Sequence, residues 1–174
     1  MEPVEINAGT YYLRQLRADD RIDDRHALVD AFADAAMRRY LPQHRLDTLD
    51  LAAAYIADRS ADWLNGSHCA WAIANPTTGQ LLGEVGLKDL GAAHDYGAVA
   101  VWVHPDARHQ GVATVAVDTA IRFGFGALGL DRVDYECDDD NAASLALAAR
   151  CGFTLVGPTT TLAGIPSQLW QRAP

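Results

Sequence analysis

The sequence predicts an α+β domain, a mixed αβ arrangement in which helices pack on a sheet. Apolar residues recur at three- and four-residue steps before Gly66, as in amphipathic helices. Short apolar runs bounded by turn residues follow from His68, as in strands. A nearly all-apolar run at 98–103 leads into a further helical pattern. The length of 174 residues is that of one domain, so we expect a single domain over residues 1–174.

The first third of the chain is predicted to hold one strand and two helices. Tyr11–Arg17 alternates in the way that a strand does. Helical spacing then runs over Ile22–Met37. A second helix begins at Asp47 or Thr48, where a short polar side chain can cap it, and ends at Gly66, which can adopt a left-handed conformation.

The middle of the chain is predicted to form a hairpin and a central strand. Pro and Gly residues that favour a turn separate the apolar runs Cys69–Ala74 and Leu81–Leu87. After a loop at Gly91–Asp95, the run Ala98–Val103 has the composition of a strand buried on both faces, so we place it centrally. Pro105 ends this strand because proline has no N–H to donate to a sheet.

The last part of the chain alternates helices and strands. Apolar residues on one stripe predict a helix over Val112–Leu128, which must pack on the sheet. Asp131–Cys137 alternates as a strand, and the alanine-rich segment Asn141–Arg150 favours a helix. Phe153–Val156 and Ile165–Trp170 are predicted as two final strands.

Composition and charge exclude several classes of protein. Hydrophobic residues make up 49% and charged residues 21%, so the chain can bury a core and is not disordered in composition. The formal net charge of −9 opposes phosphate backbones, so we expect no nucleic-acid partner, whereas it favours encounter with a cationic one. No apolar stretch reaches the ~20 residues of a membrane span, and the opening residues are acidic. We therefore expect a cytoplasmic protein with no membrane partner.

The cysteines and histidines show no metal-binding spacing. Cys69, Cys137 and Cys151 form no CxxC pair, and an odd number cannot close a full set of disulfides. We predict that these cysteines are reduced packing residues and that the protein holds no metal.

The strongest chemical signal is the segment 103–114, where the buried strand turns into a helix. A helix start leaves backbone N–H groups unpaired at the positive end of the helix dipole, which favours an anion such as phosphate. Gly111 and Ala113 allow phosphates to approach these amides closely, while Arg108 and Thr114 can add hydrogen bonds. An ordinary strand-to-helix turn with a solvated Arg108 is the alternative. The predicted binding residues of this loop are Arg108, His109, Gln110, Gly111, Val112, Ala113 and Thr114.

Two motifs in this sequence resemble those of the GNAT superfamily of N-acetyltransferases. The pattern Val-x-Pro-x-x-Arg-x-x-Gly-x-Ala-Thr at residues 103–114 is similar to the loop that binds the acyl-CoA diphosphate in that family. Asn141–Ser144 followed by Cys151–Phe153 is similar to the second family motif, at the family's spacing. Segments 12–20 and 168–172 resemble the ends of the subgroup that includes ribosomal-protein N-terminal acetyltransferases. The resemblance spans essentially the whole chain and is weakest across the first two predicted helices.

The resemblance implies a GNAT-like fold, with a central mixed, largely antiparallel sheet of about seven strands flanked by about four helices. The fourth and fifth strands, here Val99–Val103 and Val133–Cys137, would splay apart and hold the pantetheine arm of acetyl-CoA between them. The residues expected to bind that arm are Val101, Trp102 and Val103 through their backbone, and Asn141. For Trp102 a packing role is the alternative, because an aromatic residue in a central strand usually belongs to the core.

The implied chemistry is acyl transfer from a thioester to an amine, which needs a base for the amine proton and a proton donor for the leaving thiolate. Glu84 lies in mid-strand beside glycines and is the candidate base; a place on the polar face of a half-exposed strand is the alternative. Many GNAT members carry a tyrosine acid where this chain has Ala148. In the ribosomal subgroup a serine serves instead, and Ser144 occupies its position. The alternative is a local role for Ser144 in a helix capped by Asn141.

Together these features predict an acetyl-CoA-dependent N-acetyltransferase, with residues 1–174 as a single GNAT domain. A primary amine would attack acetyl-CoA directly in a ternary complex. The expected acceptor is a protein N-terminus or a cationic small molecule, and the chain is compatible with a homodimer. A non-catalytic acyl-CoA-binding or regulatory module is the alternative, because the tyrosine acid is missing and the base is uncertain. An unrelated nucleotide-phosphate binder is a second alternative.

Overall fold

The computed structural model describes residues 1–91 and 95–174, which contain eight strands and five α-helices. The strands are β1 (Ile6–Asn7), β2 (Tyr12–Arg14), β3 (Cys69–Ala74), β4 (Leu81–Lys88), β5 (Tyr96–Val103), β6 (Arg132–Asp138), β7 (Thr154–Thr160) and β8 (Pro166–Arg172). The helices are α1 (Arg25–Ala33), α2 (Ala35–Tyr40), α3 (Leu49–Asn65), α4 (Val112–Ala127) and α5 (Ala142–Arg150). A short 3-10 turn, Pro105–Ala107, lies between β5 and α4. The mixed α+β class is therefore confirmed.

The eight strands of the described residues form one sheet in the order β1-β2-β3-β4-β5-β6-β8-β7. Neighbouring strands run antiparallel, except for the parallel pair β5 and β6. That parallel pairing joins Tyr96–Ala98 to Arg132–Asp134 and ends there, whereas β4 stays paired with β5 as far as Val103. Beyond Ala98 the edges of β5 and β6 diverge. The predicted splay is confirmed, and it opens a gap in the centre of the sheet.

Three predicted elements differ from the structure. The sheet has eight strands rather than about seven, because Ile6–Asn7 pairs with β2. The strand predicted at 11–17 is only three residues long, since the Arg17 N–H donates to the Asp24 carboxylate instead of to a neighbouring strand. The helix predicted over 22–37 is divided into α1 and α2, because Asp34 is extended and its carboxylate caps α2.

The central strand β5 is not buried on both faces, contrary to the prediction. Val99 and Trp102 are buried, whereas Ala100, Val101 and Val103 are partly exposed. The exposure has a structural cause, since the part of β5 beyond Ala98 borders the gap rather than a paired strand. The central position of β5 is confirmed by its neighbours β4 and β6.

The sheet carries hydrophobic clusters on both faces. Val117 and Ile121, on the predicted stripe of α4, are fully buried in the cluster that this helix forms with the sheet. Helices α1–α3 contribute to a second cluster, which includes Phe32, Tyr55 and Trp102. The cleft described below therefore lies between two packed layers, so that its walls are held in place.

The other predicted helices and strands agree with the structure to within a few residues at their ends. The loop predicted at 91–95 falls partly on residues 92–94, which lie outside the described residues. Cys69, Cys137 and Cys151 are free and buried, as predicted. Among the helices of the described residues, none is long and apolar enough to cross a bilayer.

Candidate active site

The gap between β5 and β6 widens into a cleft with a volume of about 1180 Å3. Residues of both strands form its walls, the loop before α4 and the start of α4 close one end, and α2 lies along it. Since β5 has no strand partner beyond Ala98, the cleft exposes a bare strand edge. Backbone N–H and C=O groups on such an edge are available to a ligand that pairs with them as a strand would.

The loop from β5 to α4 has an unusual backbone conformation. His109 and Gly111 both take positive φ angles, 62° and 78°. Glycine adopts such angles without strain, and Gly111 is the N-cap of α4, which no side chain caps. A Cβ at Gly111 would meet no atom within 4 Å. The space in front of the helix start is therefore open.

None of the described residues accepts a hydrogen bond from the N–H groups of residues 109–114. The next N–H, that of Val115, makes the first intrahelical bond of this turn, to the Gly111 carbonyl at 3.2 Å. Successive unpaired N–H groups at the start of a helix form an anion-binding concavity. The loop therefore offers several hydrogen-bond donors to an anion.

Most of the predicted binding residues lie on the cleft wall. They are Val101, Trp102, Val103, Arg108, His109, Gly111, Val112, Ala113, Thr114 and Asn141, together with the candidate acid Ser144. Gln110 is turned into its own loop, because its carbonyl accepts from the Tyr11 hydroxyl at 2.8 Å and its amide donates to the Asp106 carbonyl at 3.0 Å. The Arg108 side chain is also engaged, since Nη2 donates to the Asp34 carboxylate at 2.7 Å.

Asn141 and Ser144 lie on the opposite wall of the cleft, at the start of α5. The Asn141 Oδ1 accepts from the Ser144 N–H at 3.2 Å, so the predicted helix-capping role is confirmed. This bond leaves the Asn141 amide NH2 available to a ligand. Burial raises the pKa of Tyr135, and a hydrogen bond to Ser144 lowers it by a smaller amount. Ser144 therefore lies beside a phenol that stays protonated at neutral pH.

Glu84 is 6% exposed, so the alternative of a half-exposed strand face is wrong. Its Oε1 accepts from the Tyr55 hydroxyl at 2.9 Å and lies 3.3 Å from the Arg59 Nε. Its Oε2 is buried with no hydrogen-bond partner among the described residues. Burial raises the pKa of Glu84 to about 7, against the opposing effect of the nearby Arg59 guanidinium. A carboxyl group with this pKa can accept a proton near neutral pH.

Glu84 lies beside the cleft rather than on its wall, and Trp102 is its cross-strand neighbour. Trp102 is 7% exposed and packs edge-on against Phe32, with ring centroids 5.3 Å apart. It also lines the cleft, so the packing role is confirmed without excluding a contact to ligand. Its Nε1 has no hydrogen-bond partner among the described residues. The Trp102 Nε1 donor and the Glu84 Oε2 acceptor, on adjacent strands, therefore both lack a hydrogen-bond partner among the described residues.

Alternate residues of β6 place a row of carboxylates on the cleft. These residues were not among the site residues predicted from the sequence. Asp134, Glu136 and Asp138 all line the cleft, while the residues between them are buried against the core. Asp134 pairs with Arg132 at 2.7 Å, and Asp138 accepts from a serine hydroxyl at 3.3 Å. Glu136 is exposed, and its carboxylate forms no hydrogen bond or ion pair with any residue in the described ranges. The alternation of acidic and apolar residues along this strand is the sequence pattern that could have identified the row.

One group of potential metal ligands also occurs within the described residues. It consists of Asp30, His104 and Asp106, whose ligand atoms lie within 4.8 Å of one another. Both imidazole nitrogens are engaged, because Nε2 lies 3.1 Å from the Asp30 carboxylate and Nδ1 accepts from the Asp106 N–H at 3.3 Å. Sequence spacing did not reveal this group, because Asp30 is far from the other two in the chain.

A sheet that splays beside an open helix start is the arrangement that the resemblance to acetyltransferases implies. The chain matches the model of the acetyltransferase (GNAT) domain over residues 11–154, and it is a member of that family. The family assigns it an acyltransferase activity. That the full range 1–174 forms one such domain stays a prediction.

Similar proteins agree with this assignment. YoaA of Bacillus subtilis (strain 168), an uncharacterized N-acetyltransferase, is 25% identical over 134 residues, which are 77% of this chain and 76% of that protein. A putative ribosomal-protein-serine acetyltransferase from Vibrio cholerae has a TM-score of 0.84 and 22% identity, with 100% of both chains covered. The microcin C7 self-immunity acetyltransferase MccE, solved in complex with acetyl-CoA and AMP, has a TM-score of 0.77 and 18% identity over 95% of this chain and 93% of that chain. The two structural likenesses show the same fold.

Proposed function

We propose that this protein is an acetyl-CoA-dependent N-acetyltransferase that transfers the acetyl group to a primary amine by direct attack in a ternary complex. The unpaired N–H groups of residues 109–114, at one end of the cleft, are the observation that carries this proposal. A diphosphate would accept their hydrogen bonds at the positive end of the α4 dipole. The amides of the pantetheine arm would pair with the free edge of β5 at Val101 and Val103, whose backbone groups point away from β4, whereas the predicted backbone contact of Trp102 is not available because Trp102 pairs with Glu84.

In the proposed reaction the amine nitrogen bonds to the thioester carbonyl carbon as the carbon–sulfur bond breaks. A cationic amine gives up two protons in all. Glu84 accepts the first through a water molecule before the attack, because its carboxylate lies beside the cleft, and the second passes from the nitrogen to solvent after the attack. The leaving thiolate gains one proton, which Ser144 donates and recovers from solvent. With Ala148 in place of a tyrosine, we assign the donor role to Ser144, which lines this wall of the cleft beside the Tyr135 hydroxyl.

The proposed acceptor is a cationic amine, either a protein N-terminus or a small molecule. The carboxylates of β6 support this choice, because they place negative charge along the cleft opposite the small side chains Ala98 and Ala100. Glu136 contributes most, since it is the exposed member of the row, whereas Asp134 is paired with Arg132 and Asp138 accepts from the Ser167 hydroxyl. A cytoplasmic location and a homodimer stay predictions, which fractionation and sedimentation would test.

Incubation with acetyl-CoA and a panel of amines tests the proposal. Released CoA would be measured by thiol detection and the acetylated product by its added mass. The panel contains peptides with free N-termini, polyamines and neutral amines, each matched to a version blocked at the amine. Release of CoA that depends on the amine is expected. Tight acetyl-CoA binding without such release would favour a non-catalytic module, and competition by nucleotides alone would favour a phosphate binder.

Replacement of Ser144 by Ala is expected to lower kcat about tenfold while the Kd for acetyl-CoA stays the same. The hydroxyl acts on the leaving thiolate, whereas the N-cap bond to Asn141 uses the Ser144 N–H and is retained. Steady-state kinetics and calorimetry would measure the two constants. Ser60→Ala, which removes a hydroxyl that bonds within α3, is the matched control. An unchanged kcat in Ser144→Ala would remove this residue from the reaction.

Replacement of Glu136 by Gln is expected to raise the KM for a cationic acceptor about fivefold, with little change in the Kd for acetyl-CoA. The loss should shrink as salt increases, because the Glu136 carboxylate is exposed and its attraction is screened. Asp131→Asn, which removes an exposed carboxylate just before β6, is the control. A KM that does not respond to Glu136→Gln at low salt would argue against the acidic row as an acceptor site.

A further inference from the structure

Helix α2 is fixed at both ends to the two sides of the cleft. At its N-terminal end Asp34 pairs with Arg108, which immediately precedes the loop of unpaired N–H groups. At its C-terminal end Arg39 pairs with the Asp140 carboxylate, and the Tyr40 hydroxyl donates to the Asp140 carbonyl at 3.3 Å. Asp140 directly precedes the first residue of the second motif. The helix therefore connects both regions that the proposed donor would contact.

A single oxygen atom joins α2 to the donor loop. The Asp34 Oδ1 accepts from the N–H groups of Ala36 and Met37, at 3.1 and 3.2 Å, and from the Arg108 Nη2 at 2.7 Å. The side chains of Asp34 and Arg108 are only 24% and 32% exposed. The Arg108 guanidinium holds the pKa of Asp34 below its usual range, so this carboxylate is charged at neutral pH. A shift of Arg108 would therefore be transmitted to the first turn of α2.

Helix α2 also forms part of the cleft wall. Ala36, Met37 and Tyr40 line the cleft, and the next residue, Leu41, does so as well. Met37 is buried and packs in the cluster that contains Trp102, the cross-strand neighbour of Glu84. Movement of α2 would change the shape of the cleft on the side of the sheet where Glu84 lies.

We propose that Asp34 is a positioning residue that couples donor binding to the acceptor wall. This inference rests on the proposed function, since the diphosphate at residues 109–114 is its trigger. A bound diphosphate and the Asp34 carboxylate compete for the Arg108 guanidinium, because both are anions and Arg108 lies between them in the chain of contacts. Donor binding therefore loosens the pair and adjusts α2 before the acceptor enters.

The substitution Asp34→Asn separates coupling from helix capping. Asparagine caps helices about as well as aspartate, so the bonds to Ala36 and Met37 are kept while the charge is removed. The ion pair with Arg108 is then reduced to a hydrogen bond with a neutral amide, so Arg108 contacts the diphosphate more readily, and one negative charge near it is gone. The Kd for acetyl-CoA should fall about threefold, while the KM for the acceptor should rise about fivefold. Opposite changes in the two constants are not expected from a loss of structure alone.

Hydrogen exchange of residues 35–40, with and without acetyl-CoA, measures the coupling directly. In the unmodified protein acetyl-CoA should change the exchange of these amides, and in Asp34→Asn the change should be lost although acetyl-CoA still binds. Asp19→Asn is the matched control, because Asp19 also accepts two backbone N–H groups and pairs with an arginine, Arg17, away from the cleft.

The outcomes distinguish the two proposals. If the unmodified protein binds acetyl-CoA and residues 35–40 do not respond, the coupling is wrong and the proposed function stands. If Asp34→Asn behaves as the unmodified protein does and only Asp34→Ala is impaired, Asp34 is a helix cap and no more. If the unmodified protein does not bind acetyl-CoA, both proposals fail.

Discussion

Replacement of Glu84 by Gln is expected to lower kcat about a hundredfold, the lower end of the range for loss of a general base. The protein should stay folded, because glutamine keeps an oxygen acceptor for the Tyr55 hydroxyl and Arg59 retains its pair with Asp62 at 2.9 Å. Glu84 must be ionised to accept a proton, so the activity of the unmodified protein should rise with pH through about 7 and level off above it. Glu84→Gln should lose this rise. A pH–rate profile of both proteins measures the effect.

The raised pKa of Glu84 should also make the stability of the protein depend on pH. Burial raises the pKa of Glu84 from 4.5 to about 7, so between these values the unfolded chain ionises while the folded protein does not. The free energy of unfolding should therefore decrease as pH rises from about 4.5 to about 7, and Glu84→Gln should show less of this decrease. Glu5→Gln, at an exposed position, is the matched control for both experiments. If the activity of Glu84→Gln still rises with pH through about 7, a group other than Glu84 accepts the amine proton.

Replacement of Gly111 by Asp is expected to raise the Kd for acetyl-CoA about a hundredfold. The φ angle of 78° strains any residue with a side chain, at about 1 kcal/mol, and the new carboxylate would repel a diphosphate at the unpaired N–H groups. A Cβ there meets no atom within 4 Å, so the fold should be retained. Calorimetry with acetyl-CoA measures the Kd, and thermal unfolding checks the fold.

Gly111→Asn separates charge from backbone conformation. Asparagine has nearly the same shape as aspartate and tolerates a positive φ, but it carries no charge. Its Kd should lie between those of the unmodified protein and Gly111→Asp. Equal affinity in all three proteins would show that the donor does not use this loop.

Much of the fold was predictable because its signals are local. The helical spacing and caps of α3 placed its start at Asp47 or Thr48 and its end at Gly66, and Thr48 and Gly66 cap the helix in the structure. The loop before α4 was visible for the same reason, since all its functional groups belong to one continuous segment. Where a local feature interrupted a pattern, the prediction failed: Asp34 divides a helix whose apolar spacing continues through it.

The parts of the site that could not be predicted depend on contacts between distant residues. Asp34 and Arg108 lie 74 residues apart, and Tyr55 and Glu84 lie 29 residues apart. Glu84 is covered by the side chains of Tyr55 and Arg59 from helix α3, which the alternation of a strand cannot show. The acidic row on β6 is a different case. The alternation of acidic and apolar residues is present in the sequence. The cleft beside Glu136 exists only because β5 and β6 separate, which the sequence of β6 alone does not show.

The free edge of β5 also bears on how readily this protein can change during evolution. Main-chain groups are the same for nearly every residue type, so substitutions at 101–103 that keep the strand would leave an arm-binding edge intact. Proline is the exception because it has no N–H. Residues on the β6 side are not protected in this way, since they act through their side chains. Under the proposed assignment, substitutions in this chain would therefore change which amine is accepted sooner than they change which thioester is bound.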